Sequence, residues 1–296
     1  MDTRDEIRDF LSSRRAKITP EQAGLPAYGG THRRVPGLRR EEVAMLAGVS
    51  NDYYVRLERG NLAGVSDEVL EALATALQLN EAERAHLHDL ARTAANRPAR
   101  TRRRTTTHAV PASVQVMLDA MTGAPAVVRN ERLDILATNP LGRALYSPVY
   151  RHATRSANHA RFAFLDPAAH DFWIDWERAA DDTVGMLRTL AGRNPHDKDL
   201  HDLVGELSTR SEDFRTRWAR HNVHQHLGGN KAINHPVVGR LDLMYDTLPI
   251  AQAPSLTMVV YTAAPGTPTA DAIALLASWA ATQNQPDTTT ALPHSS

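Results

Sequence analysis

The tightest constraint on this chain is the stretch EEVAMLAGVSNDYYVRLERGN, residues 41–61. It is apolar at helical spacing, is interrupted by Ala-Gly-Val-Ser, and resumes helical spacing at once. Such a pattern admits two short helices that cross steeply at a tight turn. Val43, Ala44 and Leu46 are expected to face the core, with Ala44 small where the helices approach. Gly48 falls where the backbone must take a positive φ, which glycine adopts at least cost. Val49 plugs the turn, and Ser50 is placed to accept from the free N–H groups of the second helix. Tyr54 and Leu57, three apart, share the buried face of that helix.

The opposite face carries Asp52, Val55, Arg56 and Arg59, with Asn51 at the exposed tip and Tyr53 at the border. At roughly 100° per residue, Asp52, Arg56 and Arg59 fall within about 60° of one another. Arginine pairs with guanine, asparagine with adenine, and a carboxylate accepts from cytosine N4. Asn51, Asp52, Tyr53 and Arg56 are therefore the expected base-contacting set. Arg39 and Arg40 open the first helix and Arg33 and Arg34 precede it. Together with Ser50 and Arg59 they are expected to meet phosphates, which position a protein without reading sequence. On pattern alone, a helical hairpin with a solvated polar face remains the alternative.

LRREEVAMLAGVSNDYYVRLERGN resembles the helix-turn-helix of phage-repressor-type, or xenobiotic-response-element (XRE), regulators. The matching positions are Ala44, Gly48, Val49 and Ser50, then Leu57, Glu58 and Gly60. RRVPGLRREEVA and the Tyr53–Tyr54 pair narrow the resemblance to one branch. These relatives often carry Gln where this chain has Arg40, so the phosphate contact there is expected to differ in detail.

Residues 1–96 read as an all-α, five-helix, lambda-repressor-like domain. Ile7, Phe10 and Leu11 make one helical face, Ser66 is placed to cap the VLEALATALQL helix, and Asn80 with Glu83 forms a capping-box pattern. RPARTRRRTTTH marks a basic linker over residues 97–109, either solvated or a supplementary phosphate-contacting arm. Residues 110–281 mix the two element types. PASVQVMLDAM is helical, AVVRN and LDILATN are strands, and Asp166 to Arg220 is mostly helix. VVGRLDLMYDTL and PSLTMVVYTAA return to strands, and TADAIALLASWAAT closes with a helix. This is an α+β order. The polar tail, residues 282–296, is expected to be disordered.

AVVRNERLDILATNPLGRALY resembles the opening of a PAS-like sensor domain. With ARFAFLDPAAHDFWIDWERAADDTVGMLR, LVGELSTRSEDFRTRWARHNV, HPVVGRLDLMYDTLPI and VVYTAAPGTPTADAIALL, it resembles the ligand-binding domain of MmyB-like (methylenomycin-regulator-like) proteins. The resemblance implies a PAS-like fold and a small apolar or fatty-acid-like ligand. Phe162, Phe164, Leu165, Trp173, Trp176, Leu187, Trp218, Tyr245 and Tyr261 can line an apolar cavity or simply form core. His235 stands in the His-Pro-x-x-Gly block as a pocket or turn residue, and Asn139 as a helix cap rather than a ligand contact.

Formal net charge is zero, so nucleic-acid binding must come from local charge. The chain has no cysteine, which removes disulfides, thiolate nucleophiles and cysteine-based zinc sites. His221, His224, His226 and His235 cluster in sequence, but no carboxylate lies close enough to complete a metal-hydrolase motif. Phosphate loops, nucleophile elbows and HExxH are missing from the sequence. The expectation is a non-enzyme without metal or resident cofactor. No apolar run approaches a membrane span, so a soluble cytoplasmic protein without a membrane partner is expected. The combined reading is a one-component transcription regulator, a homodimer on palindromic double-stranded DNA under control of the effector. The alternative keeps the DNA binding and makes the C-terminal domain a ligand-free interaction or dimerisation module.

Overall fold

The computed structural model describes residues 3–25, 37–95, 109–151, 156–195, 197–222 and 228–283. The chain forms α1 (Thr3–Lys17), α2 (Arg40–Leu46), α3 (Asn51–Glu58), α4 (Asp67–Ala76), α5 (Glu81–Ala95) and α6 (Ala112–Ala120). Two strands follow, β1 (Ala126–Asn130) and β2 (Ile135–Thr138). Then come α7 (Pro140–Leu145), α8 (Ser147–Arg151), α9 (His159–Leu165), α10 (Ala168–Phe172), α11 (Trp176–Arg193), α12 (Lys198–Arg210) and α13 (Glu212–Ala219). The order ends with β3 (Gly228–His235), β4 (Gly239–Pro249), β5 (Leu256–Thr262) and α14 (Pro268–Gln283).

These elements make two compact units that alternate along the chain. One joins Met1–Thr106 to Ala180–His226, and the other joins Thr107–Ala179 to Leu227–Ser296. A cut made along the sequence alone, at a linker over 97–109, leaves α12, α13 and most of α11 with the C-terminal half; by contacts they group with the N-terminal helices. Most of that linker, and the tail beyond residue 283, lie outside the described residues.

The helical unit is built on the five expected N-terminal helices. Ile7, Phe10 and Leu11 of α1 are fully buried against Val43, Tyr54, Leu57, Leu73, Leu87 and Leu90. Each such side chain contributes about 1.5–3 kcal/mol by leaving water. The expected caps form. Ser66 Oγ accepts from the Val69 N–H at 3.4 Å. Asn80 and Glu83 make the reciprocal capping box at 2.9 and 3.1 Å.

Polar contacts fasten α11 and the segment that follows α13 to α1 and α5. Arg188 Nη1 donates to both carboxylate oxygens of Glu6 at 2.8 Å, with both side chains buried. The guanidinium lies 3.9 Å from the centre of the Trp218 ring and also donates to the Trp218 carbonyl. His221 stands 3.7 Å from the same Glu6 carboxylate. Arg14 of α1 donates to the His221 carbonyl, and Arg193 of α11 pairs with Asp89 of α5 at 2.8 Å. His86 of α5 sits fully buried, edge-on to Phe10 at 4.9 Å and 4.0 Å from Glu6. Gly192 packs so close that a Cβ there would come within 2.3 Å of the His86 ring.

The second unit carries one antiparallel five-stranded sheet in the order β2-β1-β5-β4-β3, a PAS-like arrangement. The α6 side packs Val114 and Leu118 on Ala126, Val128, Leu256 and Met258. Asn139 caps α7 as expected, its Oδ1 accepting from Gly142 N–H at 2.7 Å and Ala126 N–H at 3.0 Å. Its amide donates to the carbonyls of Met121 and Ala124. The sequence pattern does not announce β3, because Gly228, Gly229 and Asn230 are weak strand formers. It forms as the edge strand, paired with β4 from Gly228↔Asp246 to His235↔Gly239.

The Glu6 cluster makes the helical unit acid-sensitive. Burial holds His86 neutral, its pKa pushed down to about 4. Burial pushes the Glu6 carboxyl up, but His221 and Arg188 outweigh it and hold it at about 2. In the unfolded chain these groups titrate near ~6.5 and ~4.3. As pH falls from about 6.5 towards 4, the unfolded state takes up a proton that folded His86 refuses, so stability falls. From about 4.3 towards 2 the same holds for Glu6. Denaturant melts recorded from pH 7 to 3 are expected to show both losses, with H86L flattening the upper window and E6Q the lower. Separately, N139A is expected to cost about 2–4 kcal/mol, because it strands buried backbone groups; urea titration of the variant checks this.

Candidate nucleic-acid interface

The turn between α2 and α3 is built as its residues dictate. Gly48 takes φ +65°, and nothing lies within 4 Å of a Cβ placed there, so backbone conformation alone demands glycine. Ser50 Oγ accepts from the Tyr53 N–H at 3.2 Å and caps α3. Val43 and Ala44 are buried, Leu46 and Val49 pack on the core from its border, and Tyr54 and Leu57 are fully buried. Gly60 answers a second demand. Its φ is +95°, and a Cβ would sit 2.6 Å from the Arg4 carbonyl oxygen, so α1 passes directly over the end of α3.

The other side of α3 faces water. Asn51, Asp52, Arg56 and Arg59 are exposed and Tyr53 is half-buried. The Arg56 guanidinium lies over the Tyr53 ring at 4.9 Å, a cation–π contact that steadies this long exposed side chain. Arg39 and Arg40 are exposed at the start of α2, the end of that helix away from the turn, where Arg40 pairs with Glu58 at the end of α3. Arg33 and Arg34 lie outside the described residues.

Sequence reasoning missed what Glu58 does. It follows Tyr54 by four residues and so falls on the buried face, and it is 2% exposed. Arg15 of α1 donates to it at 2.8 Å and Arg40 of α2 at 3.1 Å. Burial would raise this carboxyl, but the hydrogen bonds from Arg15 and Arg40 prevail and hold it below the ordinary carboxylate range. One acid thus ties together the first three helices, with the half-exposed Arg40 guanidinium bonded to it through Nε and Nη2. The available signal was a charged residue in register with Tyr54.

In the sheet unit, some of the proposed effector residues come together. Phe162 meets Trp173 at 5.1 Å and Tyr245 meets Tyr261 at 6.1 Å. Tyr146 and Phe172, not singled out from sequence, join these pairs: Tyr146 lies 5.8 Å from Tyr261 and 6.1 Å from Phe172, and Phe172 lies 5.6 Å from Trp173. Phe164 and Trp176 form a separate pair with His170, where Trp176 Nε1 donates to the Ala163 carbonyl. Leu165 is half-buried. His235 is buried: Nδ1 accepts from the Val237 N–H, and Nε2 faces the Ala144 carbonyl at 3.0 Å and the Ser147 hydroxyl at 3.4 Å. Burial lowers its pKa. Leu187 and Trp218 belong to the helical unit instead. His224 and His226 lie outside the described residues. Among the described residues no group of three metal-ligating side chains forms, and no helix is long and apolar enough to cross a membrane.

A helix-turn-helix with a polar, arginine-bearing second helix, joined to a PAS-like sensor fold, defines a DNA-binding transcription regulator. A helix-turn-helix domain matches residues 14–87, and the MmyB-like transcription regulator ligand binding domain matches residues 110–276. The second match spans more than half of the chain, which belongs to the MmyB-like transcription regulators. The search of curated proteins found no match to the chain.

R56A is expected to cost about 1–3 kcal/mol at its cognate base and to relax selection there. Binding-site selection on wild type and variant checks this, and unchanged preferences would place the reading face elsewhere. R40A is expected to weaken all sequences about equally and to reduce the salt slope by about 0.9, read from affinity against salt concentration.

Proposed function

We propose that the chain is a cytoplasmic homodimer that binds a palindromic operator through α3 and responds to a small apolar or fatty-acid-like effector held in the sheet unit. Asn51, Asp52, Tyr53 and Arg56 read bases. Arg39, Arg40, Ser50 and Arg59 hold phosphates, with Arg33 and Arg34 in the preceding segment. Two half-sites would lie about one helical turn apart, roughly 34 Å, or a multiple of it.

One observation carries the effector-control reading. Residues 110–276 match a ligand-binding domain, yet α12, α13 and most of α11, which lie inside that match, complete the helical unit that holds α3. The effector segment therefore supplies structural parts of the DNA-binding unit, through Arg188 on Glu6 and Arg193 on Asp89. An effector that prefers one arrangement of α11–α13 changes the stability of the frame under α3. One without such preference shifts nothing.

Native mass spectrometry before and after ligand stripping is expected to reveal a removable mass of fatty-acid size. Operator affinity of the loaded and stripped forms is expected to differ by about 5–150-fold. Equal affinities would end the effector-control reading. A protein that carries no such mass and takes up no added fatty acid would favour a ligand-free interaction module, with DNA binding untouched.

A further inference from the structure

One apolar residue stands among the charged side chains of α3. Successive helical residues turn by about 100°. Val55, Arg59, Asp52 and Arg56 therefore follow one another around an arc of about 100°, opposite the buried Tyr54, Leu57 and Glu58. Val55 lies one turn beyond Asn51 and one turn before Arg59, and it is half-buried. The core of the helical unit takes in Tyr53, Tyr54 and Leu57, the other apolar residues of α3; among the described residues Val55 is not packed on it.

A valine so placed is a cost to the free protein. Its branched Cβ makes it a poorer helix former than alanine, lysine or arginine, and it adds nothing to the core. A solvated helix face has no use for it, whereas a face that meets an apolar group has.

The backbone around Val55 is well held. Ser50 caps the helix ahead of it. The Val55 carbonyl accepts from the Arg59 N–H at 3.1 Å, and the Arg56 carbonyl accepts at 3.3 Å from both the backbone N–H and the side-chain amide of Asn61. In a helix, valine keeps essentially one χ1 rotamer. Its methyls are presented with little freedom left to lose. On the base edges of the major groove the projecting apolar group is the 5-methyl of thymine; the other distinguishing groups are donors and acceptors. Against thymine, Val55 buries a methyl. Against a purine edge it would cover polar atoms that lose water and gain no partner.

We propose that Val55 selects thymine at one base pair of each half-site by packing on its 5-methyl group. The inference rests on α3 lying in the major groove, and adds to that reading a base identity and the residue that imposes it.

Selection from random-sequence duplexes by the full-length protein gives the preferred half-site. Each thymine in it is then replaced singly by deoxyuridine, which removes the methyl and leaves every hydrogen-bonding group, and affinity is read by fluorescence anisotropy. One replacement per half-site is expected to weaken wild type about 3–5-fold, the worth of one buried methyl. V55A is expected to lose most of that penalty and to relax selection at that position alone. R56A is expected to keep the penalty and to relax selection elsewhere. If the half-site has no sensitive thymine, or V55A keeps the full penalty, the assignment of Val55 is overturned, while a changed selection by R56A leaves the α3 reading standing. If V55A and R56A both select the wild-type sequence, the α3 reading falls and this inference falls with it.

Discussion

The buried pair between Glu6 and Arg188 is the contact on which the helical unit depends. Neither charge has water to fall back on, so each is tolerable only because the other is there. Removing one partner of such a pair typically costs about 3–5 kcal/mol, whereas replacing both with apolar side chains is often harmless. The pair therefore acts less as a source of stability than as a rule about arrangement. α11 is accepted against α1 only in the register that brings Arg188 onto Glu6, beneath the Trp218 ring. Alternative packings of these amphipathic helices would bury a lone charge.

Glu58 applies the same rule at smaller scale. It holds Arg15 and Arg40 at once, so α1 and α2 are both referred to the end of α3. The recognition helix is thus fixed at its N-terminal end by Ser50 and at its C-terminal end by a carboxylate and by the passage of α1 over Gly60. Its exposed side chains are held on a rigid element, which keeps their geometry fixed.

Much of this was legible in the sequence because it is local. The interrupted apolar period, Gly48 and Ser50 specify the turn within a dozen residues. The caps at Ser66, Asn80 and Asn139 each rest on a bond to a backbone N–H three positions on, though Asn139 also reaches back to Ala126, Ala124 and Met121. What escaped depends on distant partners. Glu58 looks like a surface acid until Arg15 is set beside it. Strand β3 carries little propensity of its own and is drawn into the sheet by β4. The hydroxyl pair of Tyr146, which follows α7, with Tyr261 of β5 joins residues 115 positions apart and appears only once the fold is known. The grouping of α11–α13 with the first five helices has no linear signature.

That grouping also orders events during synthesis. Glu6 and Arg188 are 182 residues apart, so at ordinary ribosomal speed roughly 10–40 s separates their appearance. Through that interval α1, and in turn α2 to α5, exist without α11–α13, and the Glu6 carboxylate must remain hydrated. The helical unit closes only after β1 and β2 have been made, as a late, long-range event with a high loop-closure cost. A ribosome that stalls before residue 180 releases a chain with its reading helix present and its frame unfinished.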